Sequence, residues 1–251
     1  MIHSFLMIGQ SNMAGRGFKE EVEPINNFRI KVLRNGRWQK MYVPVNPDRP
    51  FSGISLAESF ADAYARDHDV DVGLIPCADG GTSLDQWCVD GLLFSNAIYQ
   101  AELASRTSTI AGVLWHQGET DCQEHLYAQY EEKCSVILEA FRQRLSLQDV
   151  PVLVGGLGDY LTQREEAPYL GKNYKAVNRA LMAMAQKHRR YGFVSAEGLT
   201  SNPDHLHFNA QSLREFGLRY YGEFQKLEDP QKVFFEKQEE DAAIKSAMEL
   251  L

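Results

Sequence analysis

The feature that most constrains how this chain can fold is an alternation. Five short apolar runs, Phe5–Gly9, Val70–Pro76, Ile110–Trp115, Val150–Leu157 and Gly192–Ser195, are each strand-length and rich in Val, Ile, Leu or Phe. None alternates cleanly with polar residues, as strands buried on both faces of a parallel sheet need not. Helical patterns lie between them. Ser55-Leu56-Ala57-Glu58 reads as a capping box that opens a helix through about Asp67. Over 123–147, Tyr127, Tyr130, Cys134, Ile137, Phe141 and Leu145 recur at three- and four-residue spacing. Tyr174, Val177, Leu181 and Met184 do the same over 172–190, and a last helix begins near Ala210 with Leu213, Phe216, Leu218 and Tyr221. Strand–helix alternation predicts an α/β fold with helices on both sheet faces. Right-handed crossovers then put every strand-to-helix loop on one edge, where such sheets bind ligands.

The expected architecture is a three-layer α/β/α domain over residues 1–227, with a five-stranded, mostly parallel sheet in flavodoxin-like order. Two segments fall outside the alternation. Residues 28–43 place Asn35-Gly36 between the apolar runs Phe28–Leu33 and Trp38–Val43, which predicts an inserted β-hairpin beside the ligand edge. Residues 228–251 are charged and end in Ile244, Met248 and Leu251, which predicts a C-terminal helical extension. It would dock on the domain or on a second copy, so a homo-oligomer stays open.

Composition narrows the function classes. With 26 basic and 34 acidic residues the formal charge is −8, and the pI near 5.4 argues against a nucleic-acid partner. Cys77, Cys88, Cys122 and Cys134 show no C-x-x-C spacing, so buried thiols are expected rather than a zinc cluster or redox pair. No apolar run reaches the ~18–20 residues of a membrane span. Met1–Ile8 lacks the basic start and cleavage site of a signal peptide, so the expectation is a cytoplasmic chain with no membrane partner.

The unusual polar clusters follow the strands. After the first comes Gly9-Gln10-Ser11-Asn12-Met13, which puts a serine on a tight strand-to-helix turn. It half-matches the nucleophile elbow G-x-S-x-G, with Met13 at the second glycine; the plain alternative is an N-cap serine. After the second come Gly80-Gly81-Thr82-Ser83 and then Trp87. Paired glycines can aim N–H groups at an anion, or simply serve a turn. After the third comes His116-Gln117-Gly118-Glu119-Thr120-Asp121, in which a glutamine amide could face an oxyanion. Before the last helix comes Asp204-His205-Leu206-His207, in which a carboxylate can orient an imidazole.

Together these blocks resemble the SGNH (GDSL-like) hydrolase superfamily, and more closely its carbohydrate esterase family 6 and sialate O-acetylesterase branch. The resemblance runs from Ser11 to His207, with the blocks in the family's order. It implies Ser11 as nucleophile, His207 as general base and Asp204 as its orienting carboxylate. It implies an oxyanion hole from the N–H groups of Ser11 and of Gly80 or Gly81, and from Gln117 in place of the wider superfamily's asparagine. Gln10, Asn12, His116 and Glu119 are then supporting or substrate-contacting residues, and Trp87 either stacks on a sugar or packs in the core. Gln10 and Asn12 depart from Gly-Asp-Ser-Leu, which favours the carbohydrate branch over general lipases. The implied reaction removes an O-acetyl group from a small acetylated sugar, with no cofactor and no metal.

Two rivals use the same residues. His116, Glu119, Asp121, Asp204, His205 and His207 have ligand chemistry suited to a metal-dependent hydrolase. Alternatively the loop edge binds a sugar or anion without turnover.

Overall fold

In a computed structural model, residues 1–228 are described, together with 242, 245 and 246. The expected C-terminal extension over 228–251 lies almost wholly outside the described residues. The strands are β1 (Ile2–Gly9), β2 (Ile30–Arg34), β3 (Arg37–Lys40), β4 (Asp71–Pro76), β5 (Thr109–His116), β6 (Val152–Gly155) and β7 (Tyr191–Val194). The helices are α1 (Ser11–Ala14), α2 (Leu56–His68), α3 (Leu92–Ala104), α4 (Tyr130–Arg144), α5 (Pro168–Lys187) and α6 (Ala210–Leu227).

All five expected strands form, and they lie in the order β4-β1-β5-β6-β7, every neighbouring pair parallel. The sheet nevertheless has seven strands, not five, in the order β3-β2-β4-β1-β5-β6-β7. The hairpin is the reason. Asn35 and Gly36 take φ of 51° and 73°, the backbone that a two-residue hairpin turn requires. Its first strand then pairs in parallel with β4 through Ile30–Val72 to Val32–Leu74. The hairpin therefore extends the sheet beyond β4 rather than standing apart from it. The return segment after it, around 44–54, is what reaches the ligand edge.

Helix α2 starts as its capping box predicts. Ser55 Oγ accepts from the Ala57 N–H, and Glu58 accepts from the Ser55 N–H at 3.0 Å. It packs on α6, while α3, α4 and α5 pack successively along the other side. The core-facing positions of α5 are the expected Tyr174, Val177, Leu181 and Met184. On α6, Leu213, Phe216 and Tyr221 are buried as expected, but Leu218 is exposed. The true stripe continues through Tyr220 and Phe224, which pack on Phe216 and Phe5. Helix α3 has no counterpart in the sequence reading. Its buried face is Phe94, Ala97, Ile98, Ala101 and Ala104, largely alanine, and its cap is Gly91 with no side-chain bond. Among the described residues no helix is long and apolar enough to cross a membrane.

Candidate active site

Strand β1 ends at Gly9 with φ of 130°; a Cβ there would lie 2.1 Å from the His116 carbonyl oxygen. That close approach lets the Gln10 N–H donate to His116 O at 2.9 Å, tying the ends of β1 and β5 together. The chain order reverses between these two strands, the crevice where open α/β sheets place their ligands. Ser11 is the next residue, at the first position of α1. Its backbone N–H has no acceptor among the described residues.

The turn before α6 brings the other two expected groups to this point. The Ser11 hydroxyl lies 3.0 Å from His207 Nε2, and Asp204 Oδ2 lies 2.6 Å from His207 Nδ1. The carboxylate fixes the tautomer: the Nδ1 proton faces Asp204, which leaves Nε2 to accept from the serine. Burial raises the Asp204 pKa, but the His207 side chain and the backbone N–H groups of His207 and Leu206 outweigh it and hold the carboxyl well below its usual range. His207 therefore keeps an ionised partner across the ordinary pH range.

Asn12 fastens this turn to the serine. Its Oδ1 accepts from the Phe208 N–H at 3.1 Å, and its Nδ2 donates to the Leu206 carbonyl at 3.2 Å. One amide thus grips the residues on both sides of His207. The same Nδ2 donates to Glu119 Oε1, which also meets His116 Nε2 at 3.3 Å. Burial raises the Glu119 pKa, yet the His116 and Asn12 hydrogen bonds outweigh it and hold the acid below its ordinary value. His116 is fully buried against Phe208 and Phe216, so this pair supports the site from within.

The second and third blocks differ from expectation in detail. The Gly80 N–H is taken by Asp48 Oδ2 at 2.9 Å. The Gly81 N–H has no acceptor among the described residues and lies on the same pocket as Ser11. Gln117 is not placed as an oxyanion donor. It is fully buried, and its amide N–H groups go to the Thr82 carbonyl at 3.0 Å and to Asp121. Trp87 is also fully buried, donating to Thr82 Oγ1 and packing edge-on against Trp115. It cannot stack on a sugar. His205 takes φ of 49° and turns toward Ser201, away from the serine. The ligand set of the metal-dependent rival therefore splits into the pairs His116–Glu119 and Asp204–His207, with Asp121 on Gln117 and His205 on Ser201, and among the described residues no three His, Cys, Asp or Glu side chains gather to hold a metal.

Ser11, His207 and Gly81 open onto a pocket of about 340 Å³. The family profile described as "carbohydrate esterase, sialic acid-specific acetylesterase" matches residues 1–226. The chain belongs to this family. A probable carbohydrate esterase of Arabidopsis thaliana is 26% identical over 241 residues, 85% of this chain and 86% of its own. The X-ray structure of that plant protein superposes with a TM-score of 0.79, covering 89% of this chain and 98% of the other. NanS, at 18% identity, shares the fold with a TM-score of 0.70 over 90% of this chain and 97% of its own. So does a carbohydrate acetylesterase from Xanthomonas citri, at 17% identity and a TM-score of 0.64, over 88% of this chain and 54% of its own. SGNH-like lipase and acylhydrolase structures share the fold at greater distance. The protein is thus a carboxylic ester hydrolase of the carbohydrate acetylesterase class.

In this carbohydrate esterase the sequence reading missed the pocket's charged wall. Arg16, Arg49 and Arg164 line it, with the aromatic rings of Phe51 and Tyr169. Arg16 and Asp48 form a buried bidentate pair at 2.9 and 2.7 Å, with Ser52 Oγ on the same carboxylate at 2.8 Å. Burial alone would raise the Asp48 pKa; the Arg16 and Ser52 hydrogen bonds lower it instead. Arg49 pairs with Asp79 at 2.8 Å. Arg164 donates to the Asp204 carbonyl and meets no carboxylate among the described residues. Arg16 stands three residues after the Gly-Gln-Ser-Asn-Met block, a place where a buried cation is a readable signal. Its partner lies 32 positions away, which spacing alone does not disclose.

Proposed function

We propose that this chain is a serine esterase that removes O-acetyl groups from a sugar through an acetyl-enzyme, with residues 1–227 as the catalytic unit. The observation that carries the reading is the unbroken line from Asp204 through His207 to the Ser11 hydroxyl, beside N–H groups with no acceptor among the described residues. Ser11 Oγ attacks the acetyl carbonyl carbon as its proton passes to His207 Nε2. The C=O pair moves to oxygen, and the N–H groups of Ser11 and Gly81 hold the resulting oxyanion. Collapse expels the sugar alkoxide, which takes the proton back from Nε2 and leaves as the alcohol. Water then attacks the acetyl-enzyme with His207 again as base, releasing acetate and restoring the serine. Asp204 stabilises the imidazolium in both halves.

Among the sugar classes the family admits, the pocket favours one that carries a carboxylate, the sialic-acid type, over neutral acetylxylan. The support is Arg164, a cation on the pocket without a carboxylate partner among the described residues. Phe51 and Tyr169 offer the apolar ring faces that sugars stack against. The test measures acetate release from 4-nitrophenyl acetate, O-acetylated sialic acid and acetylated xylo-oligosaccharide, with Ser11→Ala as control. The reading predicts turnover that Ser11→Ala abolishes, with kcat/KM highest for the acidic sugar. Equal turnover by a folded Ser11→Ala protein would end it.

A further inference from the structure

The tetrahedral oxyanion offers more lone pairs than two backbone N–H groups use, and the side chain first expected to supply a third donor is turned inward. Both N–H directions of Gln117 are committed to Thr82 O and Asp121, and the residue does not line the pocket. We propose that the third oxyanion donor is the side-chain amide of Gln10, the residue before the nucleophile. This inference rests on the serine-esterase reading of the same site.

Four observations carry it. Gln10 lines the same pocket as Ser11 and Gly81, although the residue is only 3% exposed. Its Oε1 accepts the Gly118 N–H at 3.3 Å, and because Gly118 offers a donor, the atom facing it must be the oxygen. The amide is therefore oriented, and its NH2 is the end left over. That NH2 has no acceptor among the described residues, and it is not among the buried side-chain atoms sealed off without a partner. The Gln10 backbone is itself fixed, its N–H on the His116 carbonyl at 2.9 Å, so the donor is held in place before substrate arrives. An anchored amide with N–H groups left without an acceptor among the described residues, in the pocket that holds the nucleophile, is what an oxyanion donor requires. A Gln10 that served only to anchor Gly118 would need its oxygen alone.

The two roles separate in Gln10→Glu. The carboxylate keeps an acceptor for the Gly118 N–H and loses both donors. With 4-nitrophenyl acetate the proposal predicts a kcat lower by about 10²–10³ with KM within a few-fold, in a protein whose melting temperature matches wild type. Phosphonylation of Ser11 by an aryl phosphonate, whose adduct also carries a tetrahedral oxyanion, slows in parallel. Gln10→Met removes donor and acceptor without adding charge and gives a loss of the same order. If Gln10→Glu keeps kcat within about three-fold of wild type while Gln10→Met loses it, Gln10 is only an anchor and the proposal fails. Ser11→Ala is assayed alongside. Full turnover by that variant would overturn the serine-esterase reading itself, and the oxyanion role with it, whereas an inactive Ser11→Ala with an active Gln10→Glu overturns the Gln10 role alone.

Discussion

Two loops on the ligand edge look alike in sequence and end differently in space. Gly9-Gln10-Ser11-Asn12 closes β1 and His116-Gln117-Gly118-Glu119 closes β5; each puts polar residues at the end of a largely buried strand. The first presents its serine to the pocket. The second turns His116 and Gln117 fully inward, reaches the pocket only with Glu119 and Thr120, and spends its hydrogen bonds on Asn12, Thr82 and Asp121. The lesson is that polarity at the carboxyl edge of a parallel sheet marks a site without saying which groups do chemistry. On the serine-esterase reading, one loop carries the reacting atom, and the other is a polar truss that holds His207 against it. Substitutions in the first loop should therefore change rate, and substitutions in the second should change stability.

The largest effect falls on the reacting pair. In folded protein Ser11→Ala or His207→Ala lowers kcat for acetate release by roughly 10⁴–10⁶, and the double variant loses little more, because the two act as one unit. Additive losses would mean that they do not. Asn12 joins the two loops, so Asn12→Ala tests the junction. Letting the 204–208 turn drift by about an ångström costs on the order of 10² in kcat, with KM little changed, as steady-state kinetics would read. A variant that loses stability but not kcat would place Asn12 wholly in the truss. Gln117→Ala breaks the second loop alone. It leaves the Thr82 carbonyl and Asp121 short of a donor, which costs about 1–3 kcal/mol in denaturant unfolding, while kcat of the folded fraction stays within about five-fold. A loss of 10² or more in kcat without a loss of stability would return Gln117 to the oxyanion.

The smallest effect is a pH dependence of stability. Burial raises Asp121 to about 6, outweighing the hydrogen bonds from Gln117 and the Leu84 N–H. Between the ordinary carboxyl value near 3.8 and about 6, the folded state binds the proton more tightly than the unfolded chain. Asp121 therefore stabilises the fold relatively at the acid end of that window, and the advantage is lost as pH rises through it. Asp204, whose pKa is lowered, has the opposite sign: its contribution is present at neutral pH and is lost only as pH falls below the ordinary carboxyl range. The difference between wild type and Asp121→Asn in urea midpoints from pH 4 to pH 7 isolates the first term. A difference that does not vary with pH would contradict it.

The sequence made the frame legible because burial on both faces leaves a strong mark. β1 and β5 are marked by the apolar runs Phe5–Gly9 and Ile110–Trp115, the capping box at Ser55 and Glu58 names its own helix start, and Asn35-Gly36 names its own turn. Helix α3 escaped because its inner face is mostly alanine, which marks a helix only weakly, and Gly91 supplies no capping side chain. The pairing of β2 with β4 also escaped, since nothing in a hairpin's pattern says which sheet edge will accept it. In the site, the Asp204–His207 spacing and the serine turn were readable from local chemistry. The direction an amide faces was not: Gln10 and Gln117 are the same residue type after neighbouring strands, and only the donor on Gly118 and the acceptors on Thr82 and Asp121 tell them apart. The Arg16–Asp48 and Arg49–Asp79 pairs were hidden for a related reason, being made across loops that meet only in the folded chain.

The central claim is that Ser11 becomes covalently acylated with His207 as its base. The direct measurement is residue-level mass spectrometry after brief exposure to an aryl phosphonate, with activity followed in the same sample. The account predicts one phosphonyl group per chain, located on Ser11, arising in step with the loss of acetate release and much slower in His207→Ala. Complete inactivation with the label on another residue, or full activity retained by a chain labelled on Ser11, would contradict it.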